Sequence, residues 1–288
     1  MKIKELSTEQ ESQLEQNLVW IFASRRSGTT WLGKELLSHE TRFLDEPLIG
    51  IHLGRYEMSK TGLVRTFDVQ KDRKDYFFSD VFGDSWKFYL RKLILNRIYS
   101  QFQDLTHKII IKEPTGSIAS DILAQCMPNS KIIVLLRDGR DVLDSIIDGL
   151  EKGGWESQDK HPELTKDKKL EFIRQSSRFW TKLMKVLMDT FDSHNKKLRL
   201  KIRYEDLRKN TLEELQKIYQ FLEIDVKQKV LEELVQKYIF ENLPETEKGK
   251  GKFKRSATPG KWKESFNEEE KQVIEHLMGE MLRKLDYS

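Results

Sequence analysis

Along the chain, short unbroken apolar runs alternate with stretches of helical periodicity. The apolar runs are Leu18-Val19-Trp20-Ile21-Phe22, Ile109-Ile110-Ile111 and Ile132-Ile133-Val134-Leu135-Leu136, with a weaker fourth at Leu198-Arg199-Leu200-Lys201-Ile202. Continuous β-branched runs of this length suit strands covered on both faces, as in a parallel sheet. Turn-like or charged residues follow each run, and then helical patterns: Trp31 to Leu37, Ile118 to Met127, Asp141 to Leu150 and Thr211 to Leu222. A long helix is predicted over Leu170 to Phe191 and another over Val226 to Tyr238, with a Gly/Lys-rich loop at Glu247 to Lys254. The alternation predicts an α/β fold of three layers, a mostly parallel central sheet flanked by helices. In such sheets ligands bind beyond the carboxyl ends of the strands, so the residues just after each run are where chemistry is expected.

The chain has 288 residues, enough for one α/β domain spanning 1–288, with 1–17 as an N-terminal arm or helix. A net charge of +4 from 51 basic and 47 acidic residues is too mild to point to nucleic acid, and is compatible with a local basic cleft for a small polyanion. No stretch reaches the roughly 20 apolar residues of a membrane span, and Met1 to Asn17 lacks the apolar centre of a secretory signal. A single cysteine, Cys126, lies among apolar residues and reads as a core thiol, which makes a cytoplasmic location the default. No cluster has metal-ligand spacing.

After the first apolar run comes Arg25-Arg26-Ser27-Gly28-Thr29-Thr30-Trp31. Backbone N–H groups at a helix start attract anions, Gly28 lets the backbone come close, and the hydroxyls and arginines add donors. The same residues would also serve an ordinary Ser/Thr-capped helix start. The loop is not a Walker A motif, because the first glycine and the lysine are missing. A second candidate anion site pairs Arg137, at a strand end, with Ser145, eight residues on. By itself the pair reads better as a salt bridge from Arg137 to Asp138 or Asp141 and a solvated serine.

Arg26 to Trp31 resembles the 5′-phosphosulfate loop of the sulfotransferase family, and Arg137 with Ser145 resembles that family's 3′-phosphate signature. Two further segments agree. Tyr204-Glu205-Asp206-Leu207 is similar to the family's Y-E-D-L segment, whose tyrosine contacts the adenine side. Arg255-Ser256-Ala257-Thr258-Pro259-Gly260-Lys261-Trp262 is similar to the late R-K-G-x-x-G-x-W loop over the 3′-phosphate, with Ser256 and Ala257 departing from it. The resemblance spans Trp20 to Trp262. It implies a P-loop-NTPase-like sulfotransferase fold and the co-substrate 3′-phosphoadenosine 5′-phosphosulfate, leaving 3′,5′-adenosine bisphosphate and needing no metal. It also implies that Arg25 to Trp31, Arg137, Ser145, Tyr204 and Arg255 to Ala257 hold the donor.

One branch of the family carries a histidine in a K-T-H motif; here that place reads Lys112-Glu113-Pro114-Thr115. Glutamate-base branches place a glutamate about twenty residues beyond the basic residue of the first loop, where Glu46 stands. The resemblance therefore implies Glu46 as general base, with Glu113 and Asp45 as alternatives, and Lys112 and Arg26 as cations stabilising the transferred group. His52 lies close enough in sequence to assist. Residues 51–106 and 151–197 carry no motif, and their aromatics (Phe77, Phe78, Phe82, Trp86, Phe88, Tyr89) read either as core or as the wall of an acceptor pocket. The expected acceptor is a small molecule, lipid or glycan, O- or N-sulfated. A nucleotide kinase on the same kind of sheet, or an inert nucleotide-binding protein, stands as the alternative.

Overall fold

The computed structural model describes residues 5–59, 62–150, 165–242, 244–247, 249 and 258–287. Five strands form a parallel sheet: β1 (Leu18–Ala23), β2 (Thr41–Asp45), β5 (Lys108–Lys112), β6 (Lys131–Leu136) and β7 (Arg199–Arg203), in the order β2-β5-β1-β6-β7. Strands β3 (Tyr56–Ser59) and β4 (Gly62–Arg65) form a separate antiparallel hairpin. The α/β architecture expected from the alternating pattern is present.

Every residue of β1 and β6 is buried, as their unbroken apolar sequences require. The period of two divides them between two cores. Trp20, Phe22, Ile132 and Val134 face the helices Gly83–Phe102, Ser120–Cys126, Lys166–Ser193 and Glu268–Lys284. Val19, Ile21, Ile133 and Leu135 face Thr211–Leu222 and Gln228–Tyr238. Helix Thr8–Asn17 forms the N-terminal element; Ser7 and Gln10 make its capping box, and Glu11 and Glu15 each lie 2.7 Å from the Arg91 guanidinium.

The chain leaves β1 toward β2 on one side of the sheet and leaves β6 toward β7 on the other. The crossovers part between the carboxyl ends of β1 and β6, the place where such sheets bind ligands. The predicted helix after β1 is a π-helix, Trp31–Leu36, a rare form that is frequent at functional sites. The helix predicted over Ile118 to Met127 starts as a 3₁₀ turn, Ser117–Ala119. The predicted loop at Glu247 to Lys254 lies for the most part outside the described residues.

Candidate functional site

Registry brings the predicted residues together. Strand β5 lies between β2 and β1, pairing Lys112 with Asp45 on one side and with Ile21 on the other. Its lysine therefore stands between the loop after β1 and the turn after β2. The Lys112 ammonium, almost wholly buried, lies 2.7 Å from Asp45, 2.9 Å from Glu46 Oε1 and 3.1 Å from Thr30 Oγ1. An ammonium has three donors, and these three contacts use them. Glu46 Oε2 accepts from Thr115 Oγ1 at 2.8 Å, and the Glu46 backbone N–H donates to the Lys112 carbonyl. A third of the Glu46 side chain remains open to solvent.

The two predicted anion sites adjoin. Arg26 Nε donates to Ser145 Oγ at 3.0 Å, and Arg137 Nη1 donates to the Arg26 carbonyl at 2.6 Å. Neither Asp138 nor Asp141 takes the Arg137 guanidinium as a hydrogen-bonded partner: Asp138 pairs with Arg140, and Asp141 accepts backbone N–H groups of Gly260 and Trp262. Arg137 packs over the Tyr204 ring at 4.6 Å, and its Nε is buried with no hydrogen-bond partner among the described residues. A buried guanidinium nitrogen left unmatched is costly, and an anion would satisfy it.

Gly28 is required twice. Its φ of 86° lies in the left-handed region, and a Cβ there would come within 2.7 Å of the Tyr204 ring. The backbone at Gly28 thus lies flush with Tyr204, which also meets Trp31 edge-on. Trp31 Nε1 donates to the Tyr238 carbonyl. Burial pushes the Tyr204 phenol up from its ordinary pKa, against the pull of Arg137 and Arg208. Ser27 and Thr29 are buried, and the Ser27 hydroxyl is 2.7 Å from that of Ser24. Arg25 opens the same loop. Arg255, Ser256 and Ala257 lie outside the described residues.

Of the three candidate carboxylates, Glu113 is fully buried and accepts the backbone N–H groups of Leu48 and Gly50, at 3.1 Å each. Asp45 and Glu46 share Lys112 and are the two with solvent access. His52 is exposed on the short helix Ile49–Leu53. In the sequence Asp141 reads only as a partner for Arg137. Its position in the first turn of helix Gly139–Leu150, directly before Val142, is the one available signal that it anchors the 260–262 backbone. The six aromatics divide: Trp86 is buried and Phe78 packs on the core, whereas Phe77, Phe82, Phe88 and Tyr89 are exposed. Among the described residues no group of His, Cys, Asp or Glu could hold a metal ion.

The sulfotransferase domain family matches residues 16–286. The chain belongs to that family. Its reaction class is sulfuryl transfer. No curated protein matches it in sequence. Solved structures share the fold at low identity. Mouse sulfotransferase SULT7A1 complexed with PAP is 16% identical, with a TM-score of 0.56, covering 97% of this chain and 91% of that one. Retinol dehydratase in a complex with retinol and PAP is 16% identical, with a TM-score of 0.59, covering 93% and 81%. The sulfotransferase domain from the curacin biosynthetic pathway is 17% identical, with a TM-score of 0.50, covering 94% and 97%.

Proposed function

We propose that this sulfotransferase moves a sulfuryl group from 3′-phosphoadenosine 5′-phosphosulfate to a hydroxyl or amine acceptor, with Glu46 as general base. The observation that carries the reading is the Lys112 ammonium, which touches both Thr30 of the loop after β1 and Glu46 of the turn after β2. One cation thus joins the loop expected to hold the donor to the carboxylate expected to take a proton. Residues 1–288 act as one domain in this reading, with 1–17 as its N-terminal arm or helix.

The residues present fit the donor. Arg26 links the other two residues, its Nε on Ser145 Oγ and its carbonyl on Arg137 Nη1, so in this reading one phosphate bridges the three. The unmatched Arg137 Nε gives that anion a charge-assisted partner. The Ser27 to Thr30 backbone receives the 5′ side, and Tyr204 with Trp31 offers an aromatic wall to the base. Arg255, Ser256 and Ala257 are proposed to close over the 3′-phosphate. When bound, the donor supplies an activated sulfuryl group, whose bond from sulfur to the bridging oxygen breaks as the acceptor oxygen bonds to sulfur.

Glu46 takes the acceptor's proton at Oε1 or Oε2, the oxygens now held by Lys112 and Thr115. Lys112 and Arg26 place positive charge where negative charge develops. Sulfuryl transfer resembles phosphoryl transfer in that positioning and charge stabilisation carry the rate. The retinol dehydratase complexes, with retinol in one and androsterone in another, support a small-molecule acceptor. Exposed Leu48 and Ile51, beside Glu46, suit an apolar body on it. Among the described residues no helix is long and apolar enough to cross a membrane. Burial pushes the Cys126 thiol up to about 12, an inert core thiol that suits a cytoplasmic setting.

Calorimetry with 3′,5′-adenosine bisphosphate and with ATP plus magnesium tests the donor. Tighter binding of the ATP complex would overturn it. Glu46→Gln is expected to lower turnover about 100-fold or more while leaving bisphosphate affinity within about twofold. Parallel loss of binding would remove Glu46 from the role of base.

A further inference from the structure

Glu113 follows the lysine that joins the two loops, yet neither of its carboxylate oxygens is positioned for proton transfer to a ligand. Oε2 accepts from the Leu48 N–H and Oε1 from the Gly50 N–H, at 3.1 Å each, in a fully buried setting. The turn it holds has an unfavourable backbone. Glu46 has φ 42° and Leu48 has φ 59°, two left-handed non-glycine residues on either side of Pro47. Such residues persist only where their surroundings over-determine them.

Glu113 is itself rigidly carried. Its N–H donates to the Ile21 carbonyl of β1, and its carbonyl accepts from Ser117 Oγ at 2.8 Å. The Ala23 N–H in turn donates to Ser117 Oγ at 2.9 Å. Space around the carboxylate is full. A Cβ on Gly116 would lie 1.9 Å from Glu113 Oε1, and one on Gly50 would lie 1.9 Å from the Gly116 carbonyl.

We infer that Glu113 is a positioning residue: its carboxylate clamps the 46–50 turn in the left-handed shape that keeps Glu46 between Lys112 and Thr115. The inference rests on the reading of Glu46 as general base. Ionisation of Glu113 sets the strength of the clamp. Both oxygens accept strongly when charged, whereas protonation turns one into a donor facing an N–H group. Burial pushes the Glu113 carboxyl up to about 7; the two amides oppose the rise, Glu46 adds to it and Lys112 opposes it. Asp45 acts at one remove, through Lys112, and His52 on the neighbouring helix is exposed.

The test follows the Leu48 and Gly50 amide resonances of the full chain from roughly pH 5.5 to 8.5, in wild type and in Glu113→Gln. Both should titrate with a shared midpoint of about 7 in the wild type and lose that transition in the variant. In parallel, Glu113→Gln should lower kcat about tenfold or more and flatten the limb of the kcat–pH profile near neutrality, with bisphosphate affinity within about twofold. Amides indifferent to pH in the wild type, a transition that persists in Glu113→Gln, or an unchanged kcat would each overturn the clamp. The amide readout needs no turnover. If Glu46→Gln remained active, the base assignment would fail, while the clamp would still stand or fall on those two resonances.

Discussion

On the side of the crevice between β1 and β6, the contacting groups are carried by the loops and the helix that follow two buried strands. Arg26 reaches Ser145 at 3.0 Å and Arg137 reaches the Arg26 carbonyl at 2.6 Å. On the other side, beyond β2, the turn 46–50 has left-handed residues and is held by side chains from β5 and the loop that follows it, with apolar Leu48 and Ile51 exposed at its edge. The first region is built on rigid, fully buried scaffold strands. The second borrows its shape from Lys112, Glu113 and Thr115. Under the proposed function the first region is the donor end, fixed by the sheet, and the second is the acceptor end, shaped by three side chains. Changes at the shared lysine should therefore disturb both ends, while changes elsewhere should disturb one.

The largest effect is expected at Lys112. Lys112→Met removes the cation from Asp45, Glu46 and Thr30 and leaves two neighbouring carboxylates unmatched. The kcat should fall about 100- to 1,000-fold, the scale of losing a preorganised charge at developing negative charge. Bisphosphate affinity should fall less than about tenfold, since Arg26, Arg137 and Ser145 are untouched. Single-turnover kinetics with saturating donor separate the two quantities. Equal losses in both would mean that Lys112 belongs to the donor end alone.

Next is the pH dependence of stability that Glu113 confers. Its carboxyl is raised from 4.5 to about 7 in the folded chain, chiefly by burial. Between those values the folded state binds more protons than the unfolded state, so stability falls as pH rises. The favourable contribution is complete below 4.5 and is lost as pH passes about 7. The whole shift corresponds to about 3 kcal/mol. Urea unfolding of wild type and Glu113→Gln across this window should show the wild type losing stability relative to the variant as pH increases. The opposite slope would mean that the two amides and Lys112 outweigh burial.

The same contrast explains what the sequence makes legible. Strands β1, β5 and β6 announce themselves because both faces are buried, and their boundaries lie within a residue or two of the apolar runs. Strand β2 is a half-exposed edge strand of five residues, and each strand of the β3–β4 hairpin has only four, so neither shows a continuous run. Helix Gly83–Phe102 places apolar side chains all round, with Phe88, Tyr89 and Leu93 exposed and Trp86, Leu95 and Ile98 buried, which erases the usual stripe. Helix Glu268–Lys284 is not among the predicted elements, although its capping box, Asn267 with Glu270, stands in the sequence. The anion-site residues could be named from local motifs. The contact of Arg26 with Ser145, 119 positions apart, could not, and neither could the clamp from Glu113, whose partners are backbone amides without side-chain identity.

Gly28→Ala probes the rigid end with a smaller change. The substitution puts a Cβ at φ 86° and within 2.7 Å of the Tyr204 ring, so either the loop or the tyrosine must move. Strain of about 1–3 kcal/mol is expected, read as a weaker bisphosphate affinity with kcat at saturating donor nearly unchanged. A fall in kcat at unchanged affinity would place Gly28 in the chemistry instead of the cradle.

The smallest effect is expected from the exposed aromatics of helix Gly83–Phe102. Tyr89 is 65% exposed and meets Phe88 edge-on, while Trp86, three residues earlier on the same helix, is buried and donates to the Ser79 carbonyl at 3.0 Å. Side chains already in water lose little apolar burial when replaced, so Tyr89→Ser should change stability by less than about 0.5 kcal/mol. Its bisphosphate affinity and kcat should also match the wild type, because no hydrogen bond from the donor loops reaches helix Gly83–Phe102 among the described contacts. An acceptor KM that rises in Tyr89→Ser while the melting temperature and donor affinity hold would sharpen the comparison. It would extend the proposed acceptor end of the site from the 46–50 turn onto the aromatic face of this helix, and would turn a set of exposed rings into part of the acceptor surface.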